Sequence, residues 1–263
     1  MKEFLQKLVT EWWGITAIVV LALALWLLLS ALFYRQFFKR FYDIVISGTV
    51  LLIISPILLL FILIGWIKMK GNPFFVQLRP GKKRRNGEER IFKLLKFRTM
   101  TNERGADGEL LPDEQRLIKY GQWLRSTSVD ELPSLINIFL GHLSIVGPRP
   151  QLVRDMTFMT KEQRERHNVR PGLTGLAQVN GRNNITWERK FEYDLEYIGG
   201  ISFFGDIKII LKTVGKVLKK SDTVREGTVS DIDLGDYLLQ EGKVTKEEYD
   251  LRQETAKEIL RRK

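Results

Sequence analysis

The sequence predicts an α/β protein, a small, mainly helical domain with short strands that is fixed to a membrane by its N-terminal quarter. Three observations carry this. Two long charge-free apolar runs, 14–33 and 44–67, lie near the N-terminus. Two strand-like runs, 73–77 and 91–97, follow within a strongly basic stretch, and beyond residue 113 the apolar residues recur at helical spacing. At 263 residues the chain can bury a real core in one or two domains. With 44% hydrophobic and 28% charged residues it fits neither a disordered chain nor a polytopic membrane protein. The absence of cysteine excludes a disulfide scaffold, a thiolate zinc site and a cysteine nucleophile. Two histidines, His142 and His167, leave almost nothing for an imidazole metal cage or a histidine triad. Chemistry here must run on carboxylates, hydroxyls, amides and cations. The 42 basic against 31 acidic residues, net +11, point to a polyanionic partner: nucleic acid, an anionic membrane face or phosphorylated substrates.

The run 14–33 would be about 30 Å long as a helix, one hydrocarbon thickness. Tyr34, Arg35, Lys39 and Arg40 follow it directly, where a secretory signal would carry a small-residue cleavage site, so an uncleaved anchor is expected. Its purely basic C-terminal flank places residue 34 onward in the cytoplasm. The run 44–67 is long enough for a second span of about 36 Å, but Ser55-Pro56 lies at its centre, where proline removes a hydrogen bond to Leu52. Basic clusters flank it on both sides, and a spanning helix would send one of them to the wrong face. The charge pattern therefore favours a re-entrant hairpin of two short arms over a proline-kinked span.

Between Lys68 and Arg98 there are eleven basic residues against Glu88 and Glu89, a composition suited to anionic lipid. The strands 73–77 and 91–97 within it should be joined by a turn over 81–87. Helices are expected over 113–125 and 132–140. Between them lies Ser126-Thr127-Ser128-Val129-Asp130-Glu131, where Ser128-x-x-Glu131 fits a capping box; starting the helix at Asp130 would instead place Pro133 in its first turn. Gly147-Pro148-Arg149-Pro150 and the stretch from Arg170-Pro171-Gly172 to Arg182 combine rigid turns with arginine. Glycine there would let backbone approach a phosphate and arginine bind its oxygens, although each motif alone reads more readily as a turn than as a site. Over 203–220 Phe203, Phe204, Ile207, Ile210, Leu211, Val214 and Leu218 share one side and lysines the other, which suits either the membrane interface or packing on the domain. A last helix is expected from Thr245, capped by Thr245-x-x-Glu248.

Taken in order, these pieces form a recognisable set: Arg40-Phe41-Tyr42-Asp43, Ser55-Pro56, Lys96-Phe97-Arg98-Thr99-Met100, Arg125, Asp130-Glu131-Leu132-Pro133, Gly147-Pro148-Arg149-Pro150 and Arg170-Pro171-Gly172 through Arg182. The chain resembles the bacterial sugar transferases, in the small monotopic form of the polyprenyl-phosphate phosphoglycosyl transferases, over about residues 37–228. The resemblance implies transfer of a phospho-sugar from a UDP-sugar to undecaprenyl phosphate, with release of UMP and with magnesium, at the cytoplasmic face of the bacterial inner membrane. It implies Asp130 as nucleophile and Glu131 as its partner acid, the two residues to meet the metal, with Glu131 either a metal ligand or a base. Lys96, Arg125 and Arg149 match active-site cations, and Gln178 and Arg182 match the nucleotide region. Ser55-Pro56 matches the break of the re-entrant helix. His142 departs from the family pattern, which has an acid there.

The expected organisation is then an N-terminal transmembrane helix over 1–38, a re-entrant hairpin over 39–69, a cytoplasmic transferase domain over 70–227 and a charged tail with a helix over 228–263. The implied partners are the UDP-sugar, undecaprenyl phosphate and anionic lipids, and no nucleic acid. A non-catalytic, membrane-tethered basic protein binding lipid or nucleic acid is the competing reading. A conventional glycosyltransferase would release UDP and use an Asp-x-Asp metal motif, whose spacing occurs only at Asp231-Ile232-Asp233 in the polar tail.

Overall fold

The computed structural model describes residues 1–181, 185–219 and 232–262. Helix α1 (Lys2–Leu32) runs into a π-helical turn (Tyr34–Phe38) and then α2 (Lys39–Lys68). Among the described residues, Trp12–Leu32 and Tyr34–Lys68 are long and apolar enough to cross a membrane. The turn folds α2 back on the end of α1, where Trp26 Nε1 donates to the Tyr42 hydroxyl at 3.0 Å and Ser30 Oγ lies 2.8 Å from the same oxygen. Leu21, Leu52 and Ile53 are among many apolar side chains on these helices that are largely exposed, the condition lipid would satisfy.

Two arms meeting at a break is the expectation for α2, and its backbone instead passes Pro56 as one helix. The reason is local. Proline leaves the Leu52 carbonyl without its N–H donor, and Ser55 Oγ donates to that carbonyl at 2.8 Å. Both ends of α2 nevertheless engage the same soluble domain. Near its start Asp43 accepts from Ser144 Oγ and the Ile145 N–H, at 3.1 and 2.8 Å. Near its end Phe61 packs on Phe97 and Trp123, and Gly65 lies so close to Pro73 that a Cβ would come within 2.9 Å.

The domain begins with an antiparallel hairpin, β1 (Phe74–Lys83) and β2 (Glu89–Phe97), in which Phe74 pairs with Phe97 and Arg79 with Phe92. Its strands are longer than the apolar runs suggested and the turn is tighter, closed by Arg84 and Glu88 around Gly87. An irregularity in pairing between Pro80 and Lys83 lets the strand continue past proline. The helix expected over 113–125 is divided into α3 (Asp113–Arg116) and α4 (Lys119–Thr127). The Arg116 carbonyl accepts from the Thr101 N–H at 2.9 Å and so is lost to the helix.

Helix α5 (Ser134–Phe139) covers the hairpin, and β3 (Ser144–Val146) leads to α6 (Val153–Phe158) and then to β4 (Gly172–Thr174), which pairs with β3 in parallel. Phe92, Leu94, Leu135, Ile138 and Leu143 form the core beneath, with Val50, Leu51 and Ile54 of α2 packed against it. The remaining helices are α7 (Leu176–Val179), α8 (Trp187–Gly199), α9 (Phe203–Leu218), α10 (Leu234–Gln240) and α11 (Lys246–Arg261). Thr245 caps α11 as its sequence predicts, accepting from the Glu248 N–H at 3.2 Å. The C-terminal helices pack on α6 through Leu234 and Ala256.

Candidate active site

The site is assembled where α4, α5 and β2 meet. Helix α4 ends at Ser128, whose left-handed backbone (φ 57°) is uncommon for a residue with a side chain and turns the chain sharply. A single 3₁₀ turn, Val129–Glu131, follows and leads through Leu132 and Pro133 into α5. The capping-box reading of Ser128-x-x-Glu131 fails here. Ser128 makes no side-chain cap, and Glu131 turns away from the helix end to meet cations. Pro133 falls at the start of α5, where its missing N–H costs nothing.

Helix α5 is clamped to β2 by side chains that sequence reasoning missed. Ser134 Oγ donates to the Leu95 carbonyl at 2.7 Å, Asn137 Nδ2 donates to the Lys93 carbonyl at 2.8 Å, and Asn137 Oδ1 accepts from the Leu95 N–H at 2.9 Å. Ser134 and Asn137 are both buried. Two polar residues three apart on an otherwise apolar helical face were the available signal, since buried polar groups require partners. The clamp brings Lys96, the residue after Leu95 in β2, against the acidic pair.

Lys96 Nζ donates to Glu131 Oε1 at 2.7 Å, and the Arg149 guanidinium reaches the same oxygen at 3.4 Å. Arg125, at the end of α4, is fixed by Nε donating to Thr99 Oγ1 at 3.1 Å. Asp130 has its carboxyl pushed up to about 6 by burial and then by the charge of Glu131, against the opposing pull of Lys96, Arg125 and Arg149. Lys96, Glu131 and Arg149 line a cleft of about 20 Å³, large enough for about one water. Arg79 of β1 lines the same cleft and was not foreseen. It donates to the Pro150 carbonyl at 3.1 Å, and burial followed by repulsion from Arg149 pushes it down to about 10.

Arg149 is held from behind. The buried Arg166 donates to its carbonyl at 2.7 Å and pairs with the buried Asp194 of α8 at 2.6 Å. The glycines of the two arginine-bearing loops serve backbone contact between the loops themselves. A Cβ on Gly172 would fall 2.1 Å from the Gly147 nitrogen, and one on Gly175 would fall 2.1 Å from the Gly147 carbonyl oxygen. Gln178 is not brought to the acidic pair; its amide donates to the Leu173 carbonyl at 3.0 Å and braces the β4 loop. Arg182 and Asp231 lie outside the described residues.

The bacterial sugar transferase family matches residues 34–220. This chain belongs to that family. A sugar transferase of Bacillus subtilis named EpsL, itself uncharacterized, is 48% identical over 180 residues, 68% of this chain and 87% of the relative. A UDP-glucose:undecaprenyl-phosphate glucose-1-phosphate transferase of Klebsiella pneumoniae is 40% identical over 189 residues, 68% of this chain but 40% of that longer protein. The exopolysaccharide production protein ExoY of Rhizobium meliloti is 33% identical over 197 residues, 84% of its length. This sugar transferase thus spans most of its shorter relatives and about two fifths of a longer one. The family match includes α2 and the whole ring of cations around Asp130 and Glu131.

Proposed function

We propose that this sugar transferase moves a phospho-sugar from a UDP-sugar to undecaprenyl phosphate through a covalent intermediate on Asp130. The observation that carries the reading is the acidic pair enclosed by Lys96, Arg125, Arg149 and Arg79 on a domain docked against apolar helices. Four cations around two carboxylates suit a reaction between two phosphate-bearing anions, which asks the protein chiefly for alignment and charge neutralisation. The names of the Klebsiella relative and of an Escherichia coli relative 37% identical over 191 residues, both UDP-glucose:undecaprenyl-phosphate glucose-1-phosphate transferases, support the donor and acceptor classes.

In the first step an Asp130 carboxylate oxygen attacks the β-phosphorus of the donor. The bond from that phosphorus to the bridging oxygen breaks, and UMP leaves with the oxygen. An acyl phosphate bearing the sugar remains on Asp130. In the second step a phosphate oxygen of the polyprenyl acceptor attacks the same phosphorus, and the Asp130 carboxylate departs. Lys96 and Arg149 hold Glu131 in position through its Oε1, while Arg125 and Arg79 balance charge on the phosphates.

The donor set also fits magnesium. Two adjacent carboxylate oxygen ligands together with substrate phosphates are the usual environment of this ion, and among the described residues no group of three or more metal-ligating side chains competes with them. Asp130 and Glu131 would hold the ion, which when bound neutralises phosphate charge.

Placement at the membrane follows the same reading. Because both ends of α2 dock on one domain, a helix entering and leaving the bilayer on the cytoplasmic side accommodates the contacts that a full span would break. Anionic headgroups would then face the basic stretch 68–98. The test is to give the purified protein UDP-sugars one at a time without acceptor. A mass increase of one phospho-sugar with release of UMP is expected from the correct donor. Release of UDP, or no adduct with any donor together with full activity in Asp130→Asn, rejects the mechanism.

A further inference from the structure

A second cationic cavity lies apart from the active site and shares none of its lining residues. It measures about 190 Å³ and is lined by Lys82, Lys83, Arg84, Arg90 and Arg170 together with His142. Among the described residues lining it there is no carboxylate. Five cations gathered without a counter-charge repel one another, and an anion would relieve that cost. Drug-sized ligand pockets run from about 300 Å³ upward, so this one suits a phosphate and its immediate substituent rather than a nucleotide-sugar.

His142 adds a specific donor. Its ring stacks on Phe92 at 5.8 Å, and its Nε2 lies 3.4 Å from Arg90 Nη2. Guanidinium can only donate, so the neutral ring accepts at Nε2 and carries its proton on Nδ1. Burial, then Arg90 and Arg40, lower the His142 pKa and keep the ring neutral. The buried Nδ1 has no partner among the described residues, so a ring beside the cavity keeps one hydrogen-bonding position unmet.

The cavity also sits at the foot of the membrane helices. Gly141 and His142 follow directly on Phe139 and Leu140, which are 46% and 61% exposed, and Phe139 lies against Gly48 of α2. Arg40, in the first turn of α2, donates to the Ile138 and Phe139 carbonyls at 2.6 and 2.8 Å. Exposed apolar side chains beside a cationic cavity match the boundary between acyl chains and headgroups. Arg90 and Lys96 stand at opposite ends of β2, roughly 20 Å apart along the strand. An anion held at the Arg90 end would therefore sit apart from substrate bound at the Lys96 end.

We propose that this cavity is a binding site for a phosphate-bearing anion, sized for the headgroup of an anionic lipid, which seats the domain at the membrane independently of substrate. The test follows thermal melting of the full-length protein in phosphatidylcholine nanodiscs. Phosphatidylglycerol is added to one series and inorganic phosphate to another. Phosphatidylglycerol should raise the melting temperature of the wild type, with at least fivefold weaker half-saturation in Arg90→Gln and in His142→Ala. Arg85→Gln, which removes the same charge from an exposed neighbour outside the cavity, should weaken half-saturation by less than about twofold, the loss of one general surface charge. A matching response to inorganic phosphate, lost in the same two variants, would also support the site and would identify the phosphate group alone as what it reads. Equal responses in Arg90→Gln, Arg85→Gln and wild type would overturn the proposal, because binding would then be general surface attraction. Circular dichroism of each variant before lipid addition confirms that it is folded, and the binding readout stands whether or not Asp130 proves to be the nucleophile.

Discussion

Burial and the neighbouring Glu131 lift Asp130 to about 6, whereas an aspartate in the unfolded chain titrates near 3.9. The folded state therefore favours the protonated form. The stability this contributes is whole below about pH 4 and is lost as pH rises through 6. At pH 7.5 the ionised side chain costs on the order of 3 kcal/mol, and Asp130→Asn removes that cost. The variant should melt higher than wild type at pH 7.5, with the difference vanishing toward pH 4 in a differential scanning calorimetry series. Its turnover should fall by more than about 10³-fold, since an amide is a far poorer nucleophile. Wild-type turnover should decline as pH falls through about 6, where Asp130 takes up a proton. A variant that melts lower at pH 7.5 yet still turns over would contradict both the electrostatic account and the assignment. The residue types at this site were legible in the chain, because Asp130-Glu131 with Lys96, Arg125 and Arg149 makes a distinctive set. Arg79 was not, because in its own strand it reads as one more cation in a basic stretch.

Helices α5 and α9 show how far periodicity reaches. The apolar spacing of 132–140 correctly indicated a helix, yet what aligns that helix is the polar pair Ser134 and Asn137 bonded to the β2 backbone. Asn137→Ala leaves the Leu95 N–H and the Lys93 carbonyl unpaired and should cost about 2–3 kcal/mol in urea denaturation, with kcat falling more than KM rises as Lys96 loses its register. For α9 the periodicity left two uses open. Asp206, Ile209 and Thr213 face the domain, while Phe204, Leu211 and Val214 are 70%, 65% and 51% exposed. Replacing Phe204, Ile207 and Leu211 with serine should therefore leave melting within a few degrees of wild type. Transfer to the polyprenyl acceptor should fall well below formation of the phospho-sugar adduct, which needs only the soluble donor. Equal loss in both half-reactions with a large drop in melting would assign the stripe to core packing. The topology of α2 can be read with single cysteines in this cysteine-free chain. Lys39 is an unsuitable reporter, since it is half-buried and ion-paired to Asp206, whereas Arg35 and Lys68 are exposed. Both should label from the same side of sealed vesicles, and opposite accessibility would show a span.

Across the whole molecule, one buried carboxylate ties the apolar N-terminal helices to the transferase domain. Asp206 of α9 accepts from Lys39 Nζ at 2.5 Å, from the Tyr34 hydroxyl at 2.7 Å and from the Tyr197 hydroxyl at 3.0 Å. Lys39 also donates to the Val146 carbonyl at 2.9 Å, immediately before the Gly147-Pro148-Arg149 loop. Asp206→Ala leaves a buried ammonium without its counter-charge and the Tyr34 hydroxyl without its acceptor, and should destabilise the protein by about 3–5 kcal/mol in chemical denaturation. Asp206→Asn, which keeps an acceptor, should recover part of the loss. From the sequence alone came the apolar N-terminal helices, the presence of the hairpin and most helices, the cap at Thr245 and the family, because each of these signals sits within one element or in a linear order of motifs. The resemblance named Lys96, Arg125 and Arg149, but only the tertiary structure shows how they converge on the acids and adds Arg79 to them. Lys96 and Arg149 stand 35 and 18 residues from Glu131 in the chain, and they converge only because the α5 clamp, the close approach of Gly147 to Gly172 and the buried Arg166–Asp194 pair hold three separate segments at one point. Such convergence depends on backbone contacts between distant segments, which leave no periodic trace in any one of them.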